Sequence, residues 1–121
     1  MKDFRQLKVW QKAHPLALET YRLIPALPAE ERFVLADQMR RAAVSVPSNI
    51  AEGCGRDSDK ELARFLRIAA GSASELEYQV LLALDLGYLS PEQHTGLDQQ
   101  TNEVKRMLNS LTRRREQTAN G

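Results

Sequence analysis

The residues that could carry chemistry in this chain are few, and their spacing removes most familiar reactions. A carboxylate-bridged di-metal site in a helical protein needs a Glu three residues before each His, and neither His14 nor His94 has one. Cys54 is the single cysteine, which excludes an intramolecular disulfide and a cysteine-based zinc site. It stands between Gly53 and Gly55, a setting that predicts a turn. No Ser/His/Asp set, glycine-rich phosphate loop or CxxC pair is present. Glu52, Glu75 and Glu77 could act as paired carboxylates, but Arg40 and Arg41 are expected near Glu75, which favours ion pairs between helices or between subunits. The sequence therefore predicts a protein that is not an enzyme and needs no metal or cofactor. A small-molecule site built on Asn49, Glu52 and Glu75 is the weakest reading.

The basic residues are more suggestive. Lys60, Arg64 and Arg67 follow at steps of four and three, which places them on one helical face. Arg113, Arg114 and Arg115 form a run near the C-terminus, and Arg56 precedes the Lys60 segment. The whole chain has a net charge of only +1, so any polyanion partner must be recognised by local charge.

Four helices are predicted to position these groups: about 3–24, 29–53, 59–86 and 91–116. The first carries Phe4, Leu7, Trp10, Ala17, Tyr21 and Ile24 at helical steps, with a local kink expected at Pro15 and His14 on the surface. Pro28, Glu30 and Glu31 should open the second, with Leu35, Met39, Ala42, Val46 and Ile50 as its buried stripe. Its end at Gly53-Cys54-Gly55 suits a left-handed cap. Ser58 and Glu61 have capping-box spacing before the third helix, and Ser90 and Gln93 repeat it, with Pro91, before the fourth. The tail Thr118-Ala119-Asn120-Gly121 is expected to fray.

Short links force neighbouring helices to run antiparallel, so the 121 residues should form a single domain, an all-α up-down-up-down four-helix bundle. A turn centred near residue 56 then sets Ala42 opposite Ala69, small residues that allow close backbone approach. Pro47 falls inside the second helix, which should bend but continue. Ser45, Ser48 and Asn49 can turn polar groups toward the carbonyls that Pro47 leaves without a partner.

The same folding gathers residues 1–8, 49–67 and 110–121 at one end. Lys2, Arg5, Lys8, Arg56, Lys60, Arg64, Arg67, Arg113, Arg114 and Arg115 oppose only Asp3, Glu52, Asp57, Asp59, Glu61 and Glu116 there, a balance of +4. Such an end could attract RNA or DNA phosphates, or it could simply solvate a helix end. Val9, Trp10, Leu18, Val34, Leu81 and Leu82 exceed what one bundle can bury, so self-association is expected. The charged start "MKDFRQLK" and the short run "VLLALDLGYL", broken by Asp85, predict neither secretion nor a membrane span, hence a cytoplasmic protein.

The runs "LKVWQKA", "QMRRAAVSVPSNIAEGCGR" and "FLRIAAGSASELEYQVLLALDLGYL" closely resemble bacterial four-helix-bundle proteins encoded by intervening sequences in 23S rRNA genes. The resemblance implies a ring-shaped homopentamer and no settled activity. It also implies a distant similarity to the accessory protein of diversity-generating retroelements, a basic barrel that binds a reverse transcriptase and nucleic acid. Its motif positions are Arg40, Arg41, Ser45, Asn49, Glu52, Gly53, Gly71, Ser72, Glu75 and Glu77; Pro47 lies within the same run, whereas Pro15, Cys54 and the terminal "RRRE" depart from the pattern. Two functions fit these features: an oligomeric adapter whose basic end contacts nucleic acid or a nucleic-acid enzyme, and a protein scaffold with no nucleic-acid role.

Overall fold

Four α-helices make up most of residues 3–120, the part of the chain that the computed structural model describes: α1 (Lys8–Leu23), α2 (Leu35–Cys54), α3 (Asp59–Asp85) and α4 (Pro91–Asn120). No strand occurs among the described residues. Met1, Lys2 and Gly121 lie outside them, and Lys2, one of the ten cations assigned to the basic end, therefore falls outside the described residues. Each helix contributes an apolar stripe to one core. Leu16 comes from α1, Met39, Val46 and Ile50 from α2, Leu66, Leu76 and Val80 from α3, and Leu97, Val104 and Leu108 from α4. Burying each of the large aliphatic side chains contributes about 1.5–3 kcal/mol. α3 packs along both α2 and α4, and α1 touches the same two helices. Thr20, Thr101 and Thr112, also buried, donate their hydroxyls to the carbonyls of Leu16, Leu97 and Leu108, so none brings an unsatisfied donor into the core.

The helix ends depart from the sequence pattern where side chains hold the backbone elsewhere. The first helix begins at Lys8 rather than Asp3. Phe4–Gln6 form a separate 3-10 turn, because the Asp3 carboxylate accepts the Arg5 N–H at 3.0 Å and Leu7 is extended. The Gln11 amide donates to the Arg5 carbonyl at 2.9 Å and ties that turn to α1. Pro15 lies inside α1 without ending it, and His14 is exposed as expected.

α2 begins at Leu35, not near Ala29. Glu30 and Glu31 belong to a preceding 3-10 turn, and Glu31 accepts the Tyr88 hydroxyl at 3.0 Å, which anchors this segment to the α3–α4 connection. α4 runs to Asn120, four residues beyond its expected end, with Thr118 donating to the Arg114 carbonyl. Both serine caps form. Ser58 Oγ accepts the Glu61 N–H at 3.1 Å, and Ser90 and Gln93 exchange bonds in both directions.

The glycines of "GCG" do not adopt a left-handed cap. Gly53 and the buried Cys54 are still helical, and Gly55 is right-handed with φ −82°. Gly53 is required for space instead: a Cβ there would lie 2.9 Å from the Phe65 Cβ and 3.0 Å from Leu62 Cδ1. The left-handed cap occurs at Gly87, φ 81°, where the Tyr88 and Gly87 N–H groups bond back to Ala83 and Leu84 in a Schellman arrangement.

α2 continues through the buried Pro47, and the Asn49 amide donates to the carbonyl and hydroxyl of Ser45 at 2.8 and 2.9 Å. It thus serves Ser45 rather than the carbonyl of Ala43, which Pro47 deprives of a donor. Ser45 Oγ meets Ser72 Oγ at 2.7 Å. That contact lies six positions further along α3 than the register that sets Ala42 opposite Ala69.

Substitution of three glycines separates these roles in chemical denaturation. Gly53→Ala should destabilise by about 1–3 kcal/mol through overpacking. Gly87→Ala should cost about 1 kcal/mol for its positive φ. Gly96→Ala, on an open helical surface, should stabilise by about 0.5–1 kcal/mol.

Candidate nucleic-acid interface

The α3 face singled out by spacing is exposed, but its arginines are largely answered within the chain. Arg64 bonds Glu61 at 3.2 Å, Arg56 bonds Glu52 at 3.0 Å, and Arg67 pairs with Glu116 of α4. Arg56 and Arg64 also lie over the Phe65 ring, at 5.0 and 4.5 Å from its centroid. The hydrogen bond from Arg64 holds the Glu61 carboxyl below its usual range, with Arg56 and Lys60 adding attraction. These exposed pairs contribute little stability each, so phosphate can displace them at small cost. Lys60 and Arg113 have no carboxylate within ion-pair distance among the described residues. Arg114 donates to Ser110 Oγ at 2.8 Å, and Arg115 stands 4.0 Å from Asp59.

A second basic surface is created by the early break in the first helix. Because Leu7 is extended, residues 6–9 lie against α4 and enclose with it a groove of about 540 Å³. Lys8, Arg106, Arg114 and Arg115 line it, Leu7, Met107 and Leu111 supply apolar surface, and among the described residues no carboxylate is in the lining. The nearest turns on this side carry Lys12 and Glu103, already paired at 3.5 Å. The sequence count placed Lys8, Arg114 and Arg115 at this end but left out Arg106. The signal was present: 106, 110 and 114 are successive steps of four on α4 and share one face.

The remaining motif residues do not form a second charged site. Arg41 pairs with Asp37 one turn away on its own helix at 3.0 Å, and within the chain Glu75 pairs with neither Arg40 nor Arg41. The partner on the same helix needs less reach. Glu52 bonds Arg56, and Glu77 bonds Lys105 of α4 at 2.8 Å. Ser45, Asn49 and Ser72 form the polar contact between α2 and α3, while Gly71 is exposed. Cys54 is the last residue of α2 rather than part of a turn. His14 stacks on Trp10, ring centroids 4.9 Å apart. Among the described residues no group of three or more His, Cys, Asp or Glu could hold a metal ion, and no helix is long and apolar enough to cross a membrane.

The family model for the 23S rRNA-intervening sequence protein matches residues 5–110, which include the small-residue contact, both serine caps and Arg106. The chain belongs to the 23S rRNA-intervening sequence protein family. No protein of curated function matches it. A crystal structure from Bacteroides thetaiotaomicron, of a protein with unknown function from the S23 ribosomal protein family, is similar with a TM-score of 0.80 and 28% identity. The similarity covers 86% of this chain and 97% of that one. The family match ends before the Arg113–Arg115 run, so those three cations lie beyond the matched region of this intervening-sequence protein.

The Glu77–Lys105 bond between α3 and α4 gives a pH signature. The Lys105 hydrogen bond holds the Glu77 carboxyl below its ordinary value, against partial desolvation that raises it. A carboxyl depressed in the folded state stabilises above its unfolded pKa and loses that contribution as pH falls through the folded value. Glu77→Gln should therefore destabilise by roughly 0.5–1 kcal/mol near neutrality, allowing for solvent screening. The difference from wild type should shrink as the pH is lowered through and beneath the ordinary glutamate range, measured by urea titration across pH.

Proposed function

We propose that this intervening-sequence family protein is a non-enzymatic oligomeric adapter whose basic end binds the phosphates of RNA or DNA, alone or with a nucleic-acid enzyme. The observation that carries this reading is that Lys8, Lys60, Arg106, Arg113 and Arg114 make up five of the seven cations without carboxylate partners among the described residues, Arg32 and Arg40 being the other two. Paired arginines nearby add charge that phosphate can recruit. In this reading the chain is one domain and its helices form an antiparallel up-down-up-down bundle. The cross-helix pairs Asp59–Arg115, Arg67–Glu116 and Glu77–Lys105 support that direction.

Self-association rests on apolar surface. Leu18, Tyr21 and Val44 are exposed beside a cavity of about 420 Å³ between α1 and α2, which Trp10 and Pro47 also line. Ile68, Tyr78 and Leu81 are exposed on α3. Val9, expected as surplus from the sequence, is in the core, whereas Leu18, Val34 and Leu81 remain exposed. Two different apolar faces on one molecule suit a head-to-tail contact, which forms a ring where the rotation between subunits closes. Five subunits is the number that the family resemblance implies. Such a ring would repeat the basic end around one rim and raise its attraction for a polyanion.

Two measurements test this. Binding of a mixed RNA should weaken steeply between about 50 and 200 mM salt, and Lys60→Glu with Arg113→Glu should lower affinity at least about tenfold and flatten the salt slope. Salt-indifferent or absent binding leaves the protein scaffold as the function. In sedimentation velocity, Tyr21→Glu with Val44→Glu should convert the assembly to a folded monomer; a wild-type protein that sediments as a monomer contradicts the ring.

A further inference from the structure

The groove between residues 6–9 and α4 combines features that the α3 face does not. Lys8, Arg106 and Arg114 carry no carboxylate partner among the described residues, whereas Arg56, Arg64 and Arg67 are each held by a glutamate. Arg115 adds a fourth charge, and its Nε is buried without an acceptor. Below these cations Leu7 and Met107 are half-buried over the buried Leu111. A site for an isolated inorganic anion needs cations and donors alone, and an apolar floor gives it no advantage. Arg106 and Arg114 start two helical turns apart, about 12 Å along α4, a spacing better suited to successive phosphates on one chain than to a single ion.

We infer that this groove holds an unpaired nucleotide of a single-stranded nucleic acid. The phosphates on either side of it contact Lys8, Arg106 and Arg114, and its base lies on Leu7 and Met107. This rests on the reading of the basic end as a phosphate-binding surface and adds the class of strand. A duplex offers the same phosphates, but its bases are stacked inside, so Leu7 and Met107 would remain against water and sugar. A single strand can turn a base onto them and remove that apolar surface from water. The groove volume of about 540 Å³ falls in the range of roughly 300–1,000 Å³ that accommodates a ligand of small-molecule size. Without an aromatic side chain in the lining, the floor supports base contact by apolar burial and not by ring stacking, so little base preference is expected.

The test is fluorescence anisotropy with a labelled short oligouridine and a labelled RNA duplex of equal length, using the full-length oligomer at low salt. The single strand should bind about tenfold more tightly than the duplex. Arg106→Glu should weaken both. Met107→Gln should weaken the single strand about fivefold and leave the duplex unchanged, with Leu7→Gln as the substitute if Met107→Gln alters the thermal melt. An oligouridine carrying 4-thiouridine should photo-crosslink to peptides containing Leu7 or Met107. Equal affinity for both nucleic acids, insensitivity to the floor variants, or crosslinks confined to α3 overturns the groove while the phosphate-binding reading stands. Failure to bind either nucleic acid overturns both, as does binding to anionic lipid vesicles in place of the strand.

Discussion

The close seating of α2 on α3 is the constraint on which the rest of the arrangement depends. At Gly53 the α2 backbone comes so near that an added Cβ would sit 2.9 Å from the Phe65 Cβ. Further along, Ser45 and Ser72 touch through their hydroxyls at 2.7 Å. These two contacts leave α2 no freedom to slide, because moving either way drives a larger side chain into the Gly53 position or leaves the half-buried serines unpaired. Pro47 is tolerated within that frame. The loss of one helical hydrogen bond is small beside the burial of Val46, Pro47 and Ile50 against the core.

Fixing α2 on α3 also decides the electrostatics of the basic end. It brings both Arg56 and Arg64 over the Phe65 ring, and glutamates three or four residues away, Glu52 and Glu61, hold them there. α4 then completes the charge distribution. Glu116 neutralises Arg67, Asp59 draws Arg115, and the cations facing the N-terminal segment are left unanswered. The proposed nucleic-acid surface is thus displaced from the most conspicuous basic stripe of the sequence toward one assembled from two segments at opposite ends of the chain. That displacement follows from ordinary ion pairing: a stripe with acids three or four residues away satisfies itself.

Much of the fold is legible from local pattern. Ser58 with Glu61 and Ser90 with Gln93 mark helix starts because capping is decided within four residues. The buried stripe of α2 follows helical periodicity, so Leu35, Met39, Ala42, Val46 and Ile50 are where the pattern sets them. Errors cluster where a residue answers to something distant. Glu31 is held by Tyr88, which delays α2, and Gly53 serves Phe65 rather than a cap. Asp3 caps a 3-10 turn that apolar spacing alone could not separate from α1.

The amino-acid order determined that this chain is helical, where α3 and α4 start, and which residues are charged, because these depend on neighbours within about one turn. Tertiary structure alone decided the register between α2 and α3, and a six-residue shift moves side chains about 9 Å along a helix. It alone brought Lys8 beside Arg106 and Arg114, and it alone gave Glu116 to Arg67. Charge is written in each residue, but whether that charge remains available depends on which carboxylate folding brings within reach.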